Sequence, residues 1–261
     1  MNLRIDTLAY TNNLRDVHPW QKFLFAIALF VITFISRPDV QIAIVIWLAI
    51  WIIYHAKIPA NLYLKIITTA SIFLIISLPA LIINIISISS PDLLADSLGG
   101  IIINKWYIYL SYTGWQQALA IFCRSLASIS CLFFLLLTIP FAEILQILRQ
   151  LGLPAILTDL LLLMYRFIFI LLATANQLWL AREARNGHSS WQLTMGSLGM
   201  LIVQLLHNTF QRYRQFSLSL DSRGFNGEFR FLQNRKYKYH FGYAVEAIAG
   251  CILLLQLEFF A

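Results

Sequence analysis

Apolar residues in this chain gather into long runs instead of alternating, and several runs have the length of membrane-crossing helices. A hydrocarbon core of about 30 Å takes roughly 20 apolar residues as helix. Runs near that length cover 19–35, 39–54, 66–88, 114–138 and 240–260. The first two are joined by Ser36-Arg37-Pro38-Asp39, a tight turn, because its proline cannot continue a helix. The third is bounded by Lys65 and by the polar run from Ser87 to Asp92. Two more runs, 155–181 and 191–210, are long enough to span but are interrupted. The first holds Asp159, Arg166, Asn176 and Gln177; the second holds Gln204, His207 and Asn208.

Composition turns these runs into a class. Hydrophobic residues make up 59% of the 261 positions and charged residues 12%, against about 25% charged in an ordinary soluble domain. Mean hydropathy is +0.73. A soluble fold lacks the polar surface to cover so much apolar material, so an all-α integral membrane protein is expected, and a disulfide scaffold or cytosolic enzyme is excluded. Cys123, Cys131 and Cys251 lie in apolar runs without metal spacing and read as small core residues. No cleavable signal peptide is expected, since Arg4, Asp6, Arg15, Asp16 and His18 precede the first run and no small-residue cleavage site follows.

Charge sets the expected topology. Nineteen Lys and Arg stand against twelve Asp and Glu, and eleven of those nineteen cations fall within 139–239. If both interrupted runs spanned, the turn from Ala181 to His188, with its arginines, would face outside, against the positive-inside tendency. If neither spans, 139–239 stays inside and the 89–113 loop, with Asp92 and Asp96 against Lys105, falls outside. The consistent arrangement has an inner N-terminus, four spans over 1–138, a cytoplasmic or interfacial region over 139–239, and a last span over 240–261. A seven-span bundle is the alternative, and apolar length alone supports it.

The middle region is punctuated like one short and two long helices. Thr138 and Pro140 make a start signal, with Glu143 placed for the helix dipole. Gly152 breaks that short helix and Pro154 opens the next. Without Gly or Pro from 155 to 185, one helix there would reach about 46 Å at 1.5 Å per residue, ending at Asn186-Gly187. Another runs from Trp191 to Arg223, softened by Gly196 and Gly199, and ends at Gly224. The two long helices are expected to cross as a pair.

Several segments carry a resemblance. They are Leu14-Arg15-Asp16-Val17-His18-Pro19-Trp20-Gln21-Lys22, Thr138-Ile139-Pro140-Phe141-Ala142-Glu143, Leu148-Arg149-Gln150-Leu151-Gly152-Leu153-Pro154, Leu161-Leu162-Leu163-Met164-Tyr165-Arg166-Phe167 and Leu220-Asp221-Ser222-Arg223-Gly224-Phe225. In that order they resemble the transmembrane T-component of energy-coupling factor (ECF) transporters, the CbiQ/EcfT family. The resemblance implies a non-catalytic membrane scaffold whose long coupling helices dock on two ABC-type ATPase subunits. It also implies a separate substrate-binding membrane subunit, the S-component, and a cargo such as cobalt or nickel, with vitamins as the alternative. The bacterial plasma (inner) membrane is the expected location, an organellar (plastid) membrane the alternative.

The resemblance assigns ATPase docking to Ala184-Arg185-Asn186 and Ser222-Arg223-Gly224. The family more often has Gly where Asn186 stands, which makes Arg182 a second candidate for the first motif. An arginine in the last helical turn complements the dipole, and the cap residue turns the chain away behind it. Its guanidinium then suits an acidic groove on a partner. The bland reading is a solvated, dipole-complementing arginine.

Other features are set lower. Arg124 and Glu246 are charges inside apolar runs, which default to functional hypotheses; they line a path, pair with each other, or face a partner. They motivate the rival reading of a self-sufficient secondary transporter or channel. A membrane assembly factor is a weaker third. The five histidines are scattered without metal spacing, so neither a metal site nor a cofactor is expected. No GxxxxGK[ST] loop occurs, so ATP hydrolysis is assigned to another chain. Arg230, Arg235, Lys236 and Lys238, beside the last span, suit anionic lipid better than nucleic acid.

Overall fold

The structure is a computed structural model that describes residues 8–87, 97–103, 106–184, 191–224, 237 and 239–260. Helix α1 is Pro19–Ile35, with His18 as its N-cap and proline at its first position. After the turn, α2 covers Pro38–Ile50 and runs into a π-helical turn, Trp51–His55. Helix α3 is Ala60–Ser77, and Pro79–Ile82 forms a one-turn helix, α4. Helix α5 is Tyr112–Thr138 and α6 is Phe141–Gln150. The long helices are α7, Ala155–Glu183, and α8, Trp191–Ser222; α9 is Phe241–Phe260. Among the described residues, five stretches are long and apolar enough to cross a membrane, namely Pro38–His55, Ala60–Ile82, Tyr112–Thr138, Ala155–Glu183 and Phe241–Phe259. Helix α1, at 17 residues, is shorter. The all-α membrane class is borne out.

Two boundaries differ from expectation. The third apolar run reads as 66–88 in sequence, but its helix starts at Ala60, so Lys65 lies inside it as an exposed residue. It stops at Ile82, and Ile83–Ser87 is a strand, β1. Pro79 removes a helical donor, and the isoleucine-rich sequence beyond it favours extended backbone. Within the 89–113 stretch, β2 is Ser97–Ile103 and β3 is Trp106–Ser111, in an antiparallel sheet of order β1-β3-β2. Ile85 pairs with Ile108, and Ile101 pairs with Ile108 from the other side. This small sheet, joining α4 to α5, was expected as a loop.

The chain forms two compact units, Met1–Ile144 with Arg235–Ala261, and Leu145–Asn234. In the first, α1 buries Phe25, Ala26, Leu29 and Ile32, α2 buries Val40, Ile44 and Leu48, and α5 buries Ala127, Cys131, Phe134 and Leu137. These three- and four-residue spacings make one apolar stripe per helix, which the helices turn on each other. Helix α3 buries Tyr63 alone. Its remaining apolar residues, Phe73 and Ile76 among the most exposed, suit lipid contact.

Contacts at the two ends of this unit order its helices. At one end, Lys22 Nζ of α1 donates to the Thr138 carbonyl at 3.1 Å, and His55 Nε2 meets Glu246 Oε2 of α9 at 3.0 Å. Gln21, Trp51, Phe134 and Tyr243 line a cavity of about 30 Å³ there. At the other end, the Arg37 N–H at the start of α2 donates to Glu258 Oε2 at 2.9 Å. The starts of α1 and α9 and the ends of α2 and α5 therefore share one face.

Candidate functional site

The segment leaving α5 is shaped by the residues that the sequence marks as breaks. Thr138, expected to start a helix, instead closes α5, its hydroxyl donating to the Phe134 carbonyl at 2.6 Å. Pro140 opens α6; its carbonyl accepts from the N–H groups of Glu143 at 2.9 Å and Ile144 at 3.2 Å. Gly152 adopts φ +106°, a left-handed value that L side chains avoid. The Leu153 N–H reaches back to the Leu148 carbonyl at 3.0 Å and the Gly152 N–H to the Arg149 carbonyl at 3.2 Å, the paired bonds of a Schellman cap. Pro154 is then the N-cap of α7, its carbonyl accepting from Leu157 and Thr158.

Helices α7 and α8 pack on each other. The Phe167 and Phe216 rings meet edge to face at 5.6 Å, and the Arg166 guanidinium lies 5.5 Å from the Phe216 centroid. From that contact α7 runs on about 25 Å to Ala184, and α8 about 10 Å to Arg223, at 1.5 Å per residue. Both helices thus extend beyond their point of contact, one much further than the other.

The C-terminal tip of α8 has the form expected for a presented arginine. Helix α8 ends at Ser222, one residue before the expected limit. The Arg223 N–H bonds the Leu220 carbonyl at 3.0 Å and the Gly224 N–H bonds the Asp221 carbonyl at 3.1 Å, short-range bonds that tighten the last turn. Ser222 Oγ donates to the Ser219 carbonyl at 2.9 Å. Gly224 takes φ +68°, and the Arg223 side chain is exposed. At the end of α7, Ala184 is a right-handed C-cap whose N–H bonds the Leu180 carbonyl at 3.0 Å. Arg185 and Asn186 lie outside the described residues. Arg182, the second candidate there, is buried with its guanidinium 5.1 Å from the Trp179 ring, so it is not presented to a partner.

Of the two intramembrane charges, Glu246 pairs with His55, not with Arg124. His55 sits in the π-helical turn, stacked on Trp51 at 4.6 Å and edge-on to Tyr243 at 5.5 Å. Arg124 is exposed on α5, and among the described residues no carboxylate lies within ion-pair distance of it. The pairing suggested by sequence fails because Glu246 lies near the start of α9, at the face where α2 ends, whereas Arg124 sits midway along α5.

Sequence reasoning passed over two buried polar residues. Asn12 Nδ2 donates to the Leu137 carbonyl at 3.0 Å and to the Thr138 carbonyl at 3.3 Å. Lys22 is buried, and its ammonium bonds both the Leu14 and the Thr138 carbonyls at 3.1 Å. The available signal was a lysine within the first apolar run, close behind Pro19. Its partners are backbone carbonyls, which no side-chain pattern announces.

These features define a multi-pass helical membrane protein whose stretch between its last two membrane-body helices holds a pair of long helices. The family model described as cobalt transport protein, CbiQ, matches residues 11–234, and the chain belongs to that family of transport proteins. An uncharacterized protein of Methanocaldococcus jannaschii is 29% identical over 238 residues, covering 88% of this chain and 83% of its own. The cobalt transport protein CbiQ of Salmonella typhimurium is 28% identical over 86% of this chain and 98% of its own. A fused cobalt transport protein CbiMQ of Methanocorpusculum labreanum is 27% identical over 85% of this chain, which matches 36% of that longer protein.

Proposed function

We propose that this chain is the non-catalytic T-component of an ATP-driven ECF-type importer in the bacterial plasma membrane. Its long helices α7 and α8 dock on two ABC-type ATPase subunits and pass their motion to a substrate-binding S-component. The observation that carries the reading is the tip of α8, an exposed Arg223 held at a helix end by a left-handed Gly224. A guanidinium so placed offers a forked, charge-assisted bond to an acidic groove, on the order of 1.5–3 kcal/mol. Ala184-Arg185-Asn186 is the matching motif at the end of α7. The cargo is a transition-metal ion, cobalt above all, in line with the names of the relatives.

Topology fits this reading by parity. The chain leaves the first unit at the face where α5 ends and re-enters at the same face where α9 starts. Residues 139–240 therefore cross the membrane an even number of times. Helix α7 is apolar enough to cross, but a return through α8 would carry Gln204, His207 and Asn208 into lipid. With zero crossings both helix tips stay on the side of the N-terminus, and the basic content of 139–239 supports that side being the cytoplasm.

Co-purification from detergent tests the proposal. Wild-type chain should bring down the ATPase subunits, and Arg185→Glu with Arg223→Glu should lower capture at least tenfold, the factor for about 1.4 kcal/mol. Capture and cobalt(II) uptake unchanged in the double variant would remove the docking role. Uptake by this chain alone in proteoliposomes, lost on neutralising Arg124 or Glu246, would establish the self-sufficient transporter instead.

A further inference from the structure

The proposed function leaves one motif of the sequence without a task, the stretch Leu14–Lys22 ahead of the first apolar run. The structure gathers it around the last turn of α5. An α-helix ends with carbonyls that have no partner in the helix. In α5 the Leu135 carbonyl accepts from the Ile139 N–H at 3.0 Å, while those of Leu137 and Thr138 are met by side chains from the N-terminal segment. Asn12 Nδ2 reaches both, and Lys22 Nζ reaches Thr138 while also bonding the Leu14 carbonyl. Asn12, Leu14, Lys22, Leu137 and Thr138 are all buried.

A surface cap would not need this chemistry. Burying an ammonium is costly unless strong dipoles replace its water. Here the replacement is the negative end of a 27-residue helix and the carbonyl of a neighbouring turn. The bonds are charge-assisted and therefore stronger than those of a neutral cap. The pinned turn is also where the polypeptide leaves the membrane body, because Ile139 and Pro140 follow directly and α6 begins at Phe141.

We infer that Lys22, with Asn12, is a positioning residue that fastens the end of α5, so that displacement of the coupling segment beyond Pro140 moves the membrane body instead of fraying the last turn of α5. The inference rests on the proposed T-component function. Without the pin, a pull on Pro140 is absorbed by two or three broken helical bonds, and ATP is hydrolysed without a matching movement of the membrane helices.

The experiment compares wild type, Lys22→Met and Asn12→Ala in complexes with the ATPase subunits and S-component in proteoliposomes. Three quantities are read: capture of the ATPases, ATP hydrolysis, and cobalt(II) uptake. Both variants should capture the ATPases as wild type does and hydrolyse ATP within about twofold of it. Cobalt taken up per ATP hydrolysed should fall at least roughly tenfold in Lys22→Met, which loses both charge-assisted bonds of the ammonium, and by a smaller factor in Asn12→Ala. Amide exchange over Phe134–Ile139 should rise in both. Unchanged uptake per ATP, with faster exchange in that turn, would overturn the inference and leave an ordinary helix cap. Should Lys22→Met fail to assemble, Asn12→Ala decides: uptake and hydrolysis falling in proportion would also overturn it. Failure of the wild-type chain to capture ATPases sinks the T-component reading itself, and that outcome is separate from the others.

Discussion

At the scale of single residues, the sharpest local constraint lies between the π-helical turn and α3. Lys57 takes φ +54°, the one positive value for a non-glycine among the described residues. The bonds around it hold the turn: Ile58 N–H to the Ile52 carbonyl at 3.2 Å, and Asn13 N–H to the Ala56 carbonyl at 3.3 Å. A left-handed L-residue costs about 1–2 kcal/mol, and Asn tolerates that region better than most. Lys57 is exposed, so its side chain can be changed without opening the core. Lys57→Asn should raise the thermal midpoint in detergent by a few degrees, whereas Lys57→Ile should lower it. Equal midpoints for the two would show that the turn relaxes around any residue.

At the scale of elements, the placement of α9 against α2 depends on a missing side chain. A Cβ at Gly250 would lie 2.7 Å from Trp47 Cζ2 and 2.8 Å from Cε2, a separation at which an indole must move bodily. Gly250 is itself buried, and α9 is further held at its ends by Glu246 on His55 and Glu258 on the Arg37 N–H. Gly250→Val should therefore cost about 1–3 kcal/mol through overpacking, read as a lower unfolding midpoint. Adding Trp47→Leu should recover much of the loss, since the smaller side chain vacates that volume. A double variant no better than the single one would place the strain elsewhere. Helices α7 and α8 meet through the Arg166, Phe167 and Phe216 side chains among others.

At the scale of the whole molecule, the question is which side of the membrane holds the connection between α7 and α8. Parity and the polar interruptions of α8, Gln204, His207 and Asn208, support the inside. The cost of placing Asp159 or Arg166 in lipid, about 2.5–3.5 kcal/mol each on insertion scales, points the same way. With Cys123, Cys131 and Cys251 replaced, a cysteine at His188 should react with an impermeant thiol reagent only after the cytoplasmic side is opened. Labelling of intact cells from outside would establish a seven-span bundle and end the lever mechanism.

Much of this was legible from one-dimensional order. Long apolar runs need only length and composition to become helices in a membrane, so α1, α2 with its π-helical turn, α5 and α9 lie within a residue or two of expectation. Pro140, Gly152, Pro154 and Gly224 act on their own backbone, and they sit at helix ends for that local reason. What sequence could not decide was which distant groups meet. Glu246 pairs with His55, Lys22 and Asn12 cap α5, and Glu258 caps α2, because only the packed helices bring together residues more than a hundred positions apart. The extended β1 was missed for a related reason: a short isoleucine run reads equally as the end of a span or as a strand, and its antiparallel partner β3 settles the matter.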